Sequence, residues 1–379
     1  MVLYNPEGIS PLVAAGLVRI ERRLPYPGDV LLSPGRRVEP EDIVATTLMP
    51  APPRIINVAQ ALGIPPGDVP RAMRREKGAK ISAGEVLARS GSLFGRRCAA
   101  PVSGEITDID TETGYVTIVP DPVEQELSAA VRGLVTEVFP NRGVAIDTLA
   151  AQVYGAFGLG PDHAGVLRLI ATDPGDIVQP EQIDTRSAYA IIIGGAAISA
   201  AALRRAVLEQ VRGVIVGGIE EHELRQFLEW SGVQSWREAL PAWSLPDARI
   251  TAGLTLTLVL TEGFGIRPMN QAIFDLLSSL DRQEALIEGR TSLRAPLRRP
   301  RVIVPLSRGT PAELPHPVAR PGAVVRLLDD AHLGQTGTIR ALSATPRGLA
   351  SGAGLPAVNV SLEDGGELWL PRTCVEVLE

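Results

Sequence analysis

Gly35-Arg-Arg-Val38-Glu-Pro-Glu-Asp-Ile-Val-Ala45 and Gly78-Ala-Lys-Ile81-Ser-Ala-Gly-Glu-Val-Leu-Ala88 carry one pattern at one spacing. In each stretch a glycine turn precedes an apolar residue, and a second turn, Pro40-Glu41 or Ala83-Gly84, precedes a short apolar strand. The echo predicts two hairpins related by pseudo-symmetry that close into one flattened β barrel. Past the second copy, Ala100-Pro101-Val102-Ser103-Gly104-Glu105-Ile106 and Gly114-Tyr-Val-Thr-Ile118 alternate apolar with polar residues, as half-buried strands do.

These segments resemble the biotinyl/lipoyl-like barrel-sandwich hybrid, with its "V-x-x-G-x-x-V-x-x-G-x-x-[LIV]-A" and "A-P-x-x-G-x-[IV]" signatures. The resemblance covers residues 24 to 122, interrupted by a Pro-rich helical insert at about 50–75. Modified members of that family carry an acceptor lysine on an exposed hairpin just before the Ala-Pro. Here that hairpin is Ser92-Leu93-Phe94-Gly95-Arg96-Arg97, which has no lysine. The resemblance therefore implies an unmodified hybrid, as in Rnf-type electron-transport subunits and RNA polymerase, carrying neither biotin nor lipoate. Lys77 and Lys80 are the chain's two lysines, against 35 arginines, and both precede the strand before that hairpin. Lysine-dependent covalent catalysis thus has two positions to choose from, of which Lys80 reads as a solvated strand residue.

The 379 residues exceed what one core usually supports, and 38 glycines with 32 prolines supply many turns. Residues 126–180 read as a second β region, with strands Leu134-Val-Thr-Glu-Val138, Gly143-Val-Ala-Ile146, Gln152-Val-Tyr154 and Val166-Leu-Arg-Leu-Ile170. Pro140-Asn141-Arg142-Gly143 is a turn signal, and 146–156 fits helix and strand periods alike. Residues 181–306 alternate apolar strands at 189–193, 213–216, 254–260 and 301–304 with helices at 197–211, 220–230 and 270–280. That alternation predicts a small α/β domain with a parallel sheet covered on both faces. After a linker at 307–320, the span 321–379 resembles a KOW-type motif in an SH3-like barrel, through Pro321-Gly322-Ala-Val-Val-Arg326 to Gly334-Gln-Thr-Gly337-Thr-Ile339. In that family Gly337 would stand where the chain turns sharply between two strands, with further strands at 357–362, 367–370 and 374–378.

The formal charge of -6 disfavours a chain built mainly to neutralise phosphates. Cys98 and Cys374 form no CxxC or Cys/His cluster, so neither a disulfide framework nor a zinc site is expected. No apolar run reaches the roughly 20 residues of a membrane helix, and the expected compartment is the cytoplasm. His222-Glu223 lacks the second histidine of a zincin, with Gln226 in its place, and His163, His316 and His332 read as surface residues. No metal and no cofactor is expected. Ser199 reads as a helix cap rather than a nucleophile.

One ledge remains. Gly194-Gly195, Gly217-Gly218 and Thr261-Glu262-Gly263 follow apolar strands, where an open parallel sheet presents backbone N–H groups to ligands. Glycine at tight strand-to-helix turns explains the same pattern without a ligand. If a ligand binds, Glu262 would be its acid/base and Arg267 an anion clamp. A basic stretch, Arg290, Arg294, Arg298, Arg299, Arg301 and Arg308, would be the contact for RNA or an acidic partner. The expectation is a non-catalytic, multi-module binding or scaffold protein with a protein partner. Its rivals are a small-molecule sensor or enzyme at the ledge, and an RNA- or transcription-complex accessory acting through the C-terminal barrel.

Overall fold

The computed structural model describes residues 10–91, 95–229, 254–291, 298–310, 317–329, 331–348, 352 and 354–378. Within it the N-terminal echo extends further than the hairpins. Gly35 and Gly78 both take φ +87, a left-handed conformation that suits glycine. Their N–H groups donate to the carbonyls of Val135 and Ile106, both at 2.7 Å. Ala45 faces Leu127 as Ala88 faces Cys98, and each pair is followed by the same register shift. Val38 pairs with Gly133 as Ile81 pairs with Gly104. A side chain at either of those partner glycines would collide with the next strand, at Ile146 or at Val119.

The two hairpins are therefore corresponding parts of two nested copies, which corrects the expectation of two halves of one barrel. The inner copy spans strands Arg54–Asn57 to Tyr115–Pro120. It is threaded into the outer copy between the strand Ile43–Met49 and its antiparallel partner Val123–Ser128. Residues 123–139 consequently belong with 29–49, and the expected boundary at 125/126 cuts through the outer copy. Each copy has its own core. Val58, Leu62, Val69, Ile81, Leu87, Ile106 and Ile118 fill the inner one. Ile20, Val38, Val44, Val135 and Ile146 fill the outer one, together with Leu286 and Ile303 from far along the chain. The expected insert at 50–75 contains the helices Val58–Leu62 and Val69–Ala72, which cover the inner copy.

Leu286 and Ile303 reach the outer copy because the middle of the chain shares its sheet. Leu12–Arg23 pairs along Gly143–Tyr154, followed by Arg301–Pro305, Glu284–Glu288 and His163–Leu169, all antiparallel. From there the sheet continues in parallel through Ala190–Ile193, Gly213–Ile219 and Thr257–Phe264. The regions 126–180 and 181–306, expected as separate units, thus form one 13-stranded sheet of mixed direction. The ambiguous 146–156 stretch lies in the 12-residue strand Gly143–Tyr154, buried on both faces, which removes the alternation that would have marked it. Helix Ala200–Leu208 packs Leu203 and Ala206 on one face of the parallel part, and Gln271–Ser279 packs Ile273, Phe274 and Leu277 on the other. No helix among the described residues is long and apolar enough to cross a membrane.

The C-terminal region is a five-stranded antiparallel sheet, Val324–Leu327, Thr336–Leu342, Ala357–Leu362, Glu367–Pro371 and Val375–Val377, whose last strand pairs with its first. The sharp turn falls at Gly334, φ +84, not at Gly337. Gly337 lies within a strand, between Val325 and Leu362, where an added Cβ would strike Val360 and the Ser361 carbonyl.

Candidate functional site

The glycine-rich strand ends do converge, because the three parallel strands that carry them are adjacent. What lies against them is the protein's own chain. Gly194, Gly217 and Gly218 donate their N–H groups to the carbonyls of Ile215, Gly195 and Ala196, at 2.9, 2.8 and 2.8 Å. A Cβ on Gly195 would strike the Asp176 carbonyl, one on Gly217 that of Arg267, and one on Gly218 that of Gly265. Gly263, φ +119, abuts the Cα of Gly334 in the C-terminal region. The expected ledge is therefore filled by the loops around 173–178 and 264–269 and by the C-terminal region at Gly334, and its glycines serve close chain approach. Thr261 is buried with its hydroxyl toward the Val216 carbonyl, 3.4 Å away.

Glu262 is engaged as well. One carboxylate oxygen accepts the N–H of Asn270 at 3.0 Å, at the start of helix Gln271–Ser279. The other pairs with the Arg326 guanidinium. Arg326 continues to Glu376 at 3.2 Å, and Glu376 pairs with Arg299. Arg299 in turn donates its Nε to the Gly155 carbonyl at 2.8 Å. This alternating chain of two carboxylates and two guanidiniums is buried, with Arg326 at 2% and Glu376 at 0% exposure. It fastens the C-terminal sheet to the large sheet. The role of free acid/base expected for Glu262 is corrected accordingly, because both its oxygens hold structural partners. Arg267 donates its Nε to the Phe264 carbonyl at 2.7 Å. It borders an open cleft of about 420 Å³ between the 262–268 segment and Gly334 and Thr336 of the C-terminal region.

The arginine stretch is not one surface. Arg299 is buried in the ion chain. Arg301 pairs with Glu288 at 2.5 Å and donates to the Gln152 side chain at 3.1 Å. Neither can reach a phosphate backbone. Arg298 is half-buried, Arg290 and Arg308 are exposed, and Arg294 lies outside the described residues.

Arg301 leads to a cluster that sequence reading missed. Asp162, beside Arg22 at 3.6 Å, approaches Glu288, Arg298 and Arg301 at one end of the central sheet. Burial, then the Glu288 charge, push the Asp162 carboxyl up to about 6, against the pull of Arg22, Arg298 and Arg301. Burial also acts to raise Glu288, but Arg301 outweighs it by charge and hydrogen bond, with help from Arg298 and Arg22, and holds that carboxyl below its usual range. His163 next door is pushed down by burial and by Arg212, and its ring meets the Thr257 hydroxyl at 3.0 Å. A carboxylate pair whose members are driven apart is a feature that active sites and structural ion networks share. No spacing signal could have found it, since Arg22, Asp162, Glu288 and Arg301 come from distant strands and loops.

The other expected positions are structural. Ser199 caps helix Ala200–Leu208 through the Ala202 N–H. Glu223, with His222 beside it at 3.3 Å, accepts the Ala200 N–H at 2.6 Å. His332 meets Asp329 at 2.7 Å, and His316 lies outside the described residues. Among the described residues no group of three or more His, Cys, Asp or Glu side chains is placed to hold a metal ion. Compared with known proteins, the chain matches no family model and no curated sequence.

Proposed function

We propose that this chain is a non-catalytic, multi-module binding or scaffold protein. In this reading two nested copies of an unmodified barrel-sandwich hybrid stand at one end, a KOW/SH3-like barrel at the other, and the mixed sheet holds them. The observation that carries it is the engagement of the strand-end glycines and Glu262 in joining modules. A site that would bind substrate in an enzyme of this layout is here a seam between the sheet and the C-terminal barrel. The partner is a protein, and the compartment the cytoplasm. Affinity purification of the tagged chain from its native host, with cross-linking, should return the same partner in replicate preparations. Replicates that return no common partner would sink the proposal.

A second reading, a sensor of a small anionic ligand, is favoured by one feature, the open cleft beside Arg267. A thermal-shift screen against nucleotides and phosphorylated metabolites separates the two. The scaffold reading expects no shift, whereas a shift abolished by Arg267→Ala establishes the sensor.

A further inference from the structure

We infer that the cleft between the 262–268 segment and the C-terminal region holds the chain end of a partner protein, its terminal carboxylate on Arg267 and its last, apolar side chain beside Phe264 and Ile266. The inference deepens the scaffold reading and rests on it, giving to the protein partner the cleft that an anion sensor would use for a metabolite.

The cleft begins where the close packing of the strand ends stops. Side chains at Gly217 and Gly218 would strike carbonyls of the chain itself, whereas a Cβ on Gly265 meets nothing nearer than the Arg267 Nε, at 4.0 Å. Gly265 takes φ +99, a conformation that suits glycine. The segment is pinned on both sides of Ile266. The Gly265 N–H donates to the Ile219 carbonyl at 2.8 Å, and the Arg267 N–H to the Ala196 carbonyl at 3.3 Å. Ile266 itself lines the cleft and is 54% exposed.

The polar groups of the lining are few and differ in kind. The Arg267 Nε donates to the Phe264 carbonyl at 2.7 Å, which fixes the guanidinium plane, and neither Nη has a partner among the described residues. Two such groups in one plane match the two oxygens of a carboxylate. The other charge in the lining is already balanced, since Glu262 accepts the Asn270 N–H with one oxygen and pairs with Arg326 through the other. Thr336 donates its hydroxyl proton to Glu363 at 2.6 Å, so toward a ligand it can only accept, as an amide N–H requires. Glu363 is exposed, and water screens its charge.

The remaining side chains are apolar. The Phe264 ring is held against Phe157 with centroids 4.9 Å apart, and Ile266 and Pro268 extend the same wall. Covering a half-exposed Ile266 with another apolar side chain removes surface from water, which is favourable. One planar cation, one acceptor and an apolar wall match the end of a polypeptide: carboxylate, last amide N–H and side chain. A phosphate group instead seeks several donors and gains nothing from the wall. The volume of about 420 Å³ falls within the range of ligand pockets, roughly 300–1,000 Å³, and the open side lets the chain behind the last residue run into solvent.

The test is fluorescence anisotropy of the full-length chain with labelled peptides, each a randomised tetrapeptide followed by Leu, Val or Phe and made with a free or an amidated C-terminus. The free acids should bind about tenfold more tightly than the amides. Arg267→Gln should bring the free acids down to the level of the amides, while Arg290→Gln, at an exposed arginine outside the cleft, leaves the preference intact. Circular dichroism checks that each variant is folded, and Ile266→Asp, which should weaken free-acid binding by about tenfold, serves should Arg267→Gln misfold. The inference is overturned if no free-acid peptide binds, if acid and amide bind equally, or if Arg290→Gln causes the same loss. Displacement of the peptide by an equal concentration of inorganic phosphate overturns it too, because the site would then select an anion and not a chain end. If peptide binding fails while the native partner is still captured, the cleft assignment falls and the scaffold reading stands. Selective peptide binding without any reproducible native partner has the opposite consequence.

Discussion

The outer and inner copies solve one problem in two ways. Each is a strand set with the same glycine turns, the same pairing register and an apolar face that must be covered. The outer copy borrows its cover, closing its core on Leu286 and Ile303 of the large sheet. The inner copy carries its own cover, Val58, Leu62 and Val69 from the two short helices. Nearly the same local pattern thus yields a fused module in one case and an autonomous one in the other. What decides between them is the segment after the first strand, a short connection at 24–36 in the outer copy and a helical one at 58–77 in the inner.

The C-terminal sheet shows a third form of attachment, and breaking it should have the largest effect. Glu376→Gln leaves Arg299 and Arg326 buried without their shared anion, a change expected to cost about 3–5 kcal/mol. Chemical denaturation should then show the C-terminal sheet separating first. In the comparison itself, Ile303→Ala and Leu87→Ala each remove a fully buried side chain, at about 3 kcal/mol. The first should lower the stability of the whole outer unit and sheet, while the second should melt only the inner copy. Hydrogen exchange resolved by segment distinguishes the two, and coincident loss of protection across both copies in Leu87→Ala would refute the autonomy of the inner one.

The third prediction concerns pH. Asp162 holds its proton more tightly in the folded protein, at about 6 against an ordinary value of 3.8. Stability of the wild type therefore falls as pH rises through that window, because ionising this carboxyl is harder in the folded than in the unfolded chain. Asp162→Asn removes that dependence, so the variant gains on the wild type between about pH 4 and 6 and holds a constant advantage above it. With the side chain 30% exposed, solvent screening reduces the expected gain to about 1–2 kcal/mol. Urea titrations across that range measure it, and a difference that does not vary with pH would show that the cluster leaves Asp162 unperturbed.

The smallest effect tests the equivalence of the copies. Gly35 and Gly78 share φ +87, and a methyl group at either position meets nothing within 4 Å. Gly35→Ala and Gly78→Ala should therefore each cost only the left-handed conformation, about 1 kcal/mol. Clearly unequal costs would mean that the two turns differ in something their geometry does not show.

Local patterns were legible in the sequence wherever one side of a strand meets solvent or a glycine marks a turn. The strands around Ile191, Val214, Ile303 and Val358 stand where they were expected, as does the helix that begins after Asn270, whereas the helix expected at 197–211 is shorter, Ala200–Leu208, because Ala197–Ile198 pairs as a strand with Ile177–Val178. Nesting was not legible. The segment Ala129-Ala130-Val131-Arg132-Gly133-Leu134-Val135, which completes the outer copy as 100–106 completes the inner, lies on the far side of the whole insertion from Ala45. The site was misread for a related reason. Glycine permits close approach by a ligand or by the chain itself, and only the neighbours of Gly217 and Gly218 show which applies. Arg299 and Arg301 resembled a solvated run because the partners that bury them, Glu376 and Glu288, are distant in sequence or on a neighbouring strand.

The nested threading also imposes an order of events at the ribosome. When Met49 emerges, the strand it belongs to has only the two-residue strand Asp29–Val30 beside it until Val123 follows, whereas everything the inner copy needs is already present at Pro120. Local contacts form before distant ones. The insertion matures while its host still waits, and one edge of the nascent outer strand stays without its longer partner until synthesis has passed through the guest.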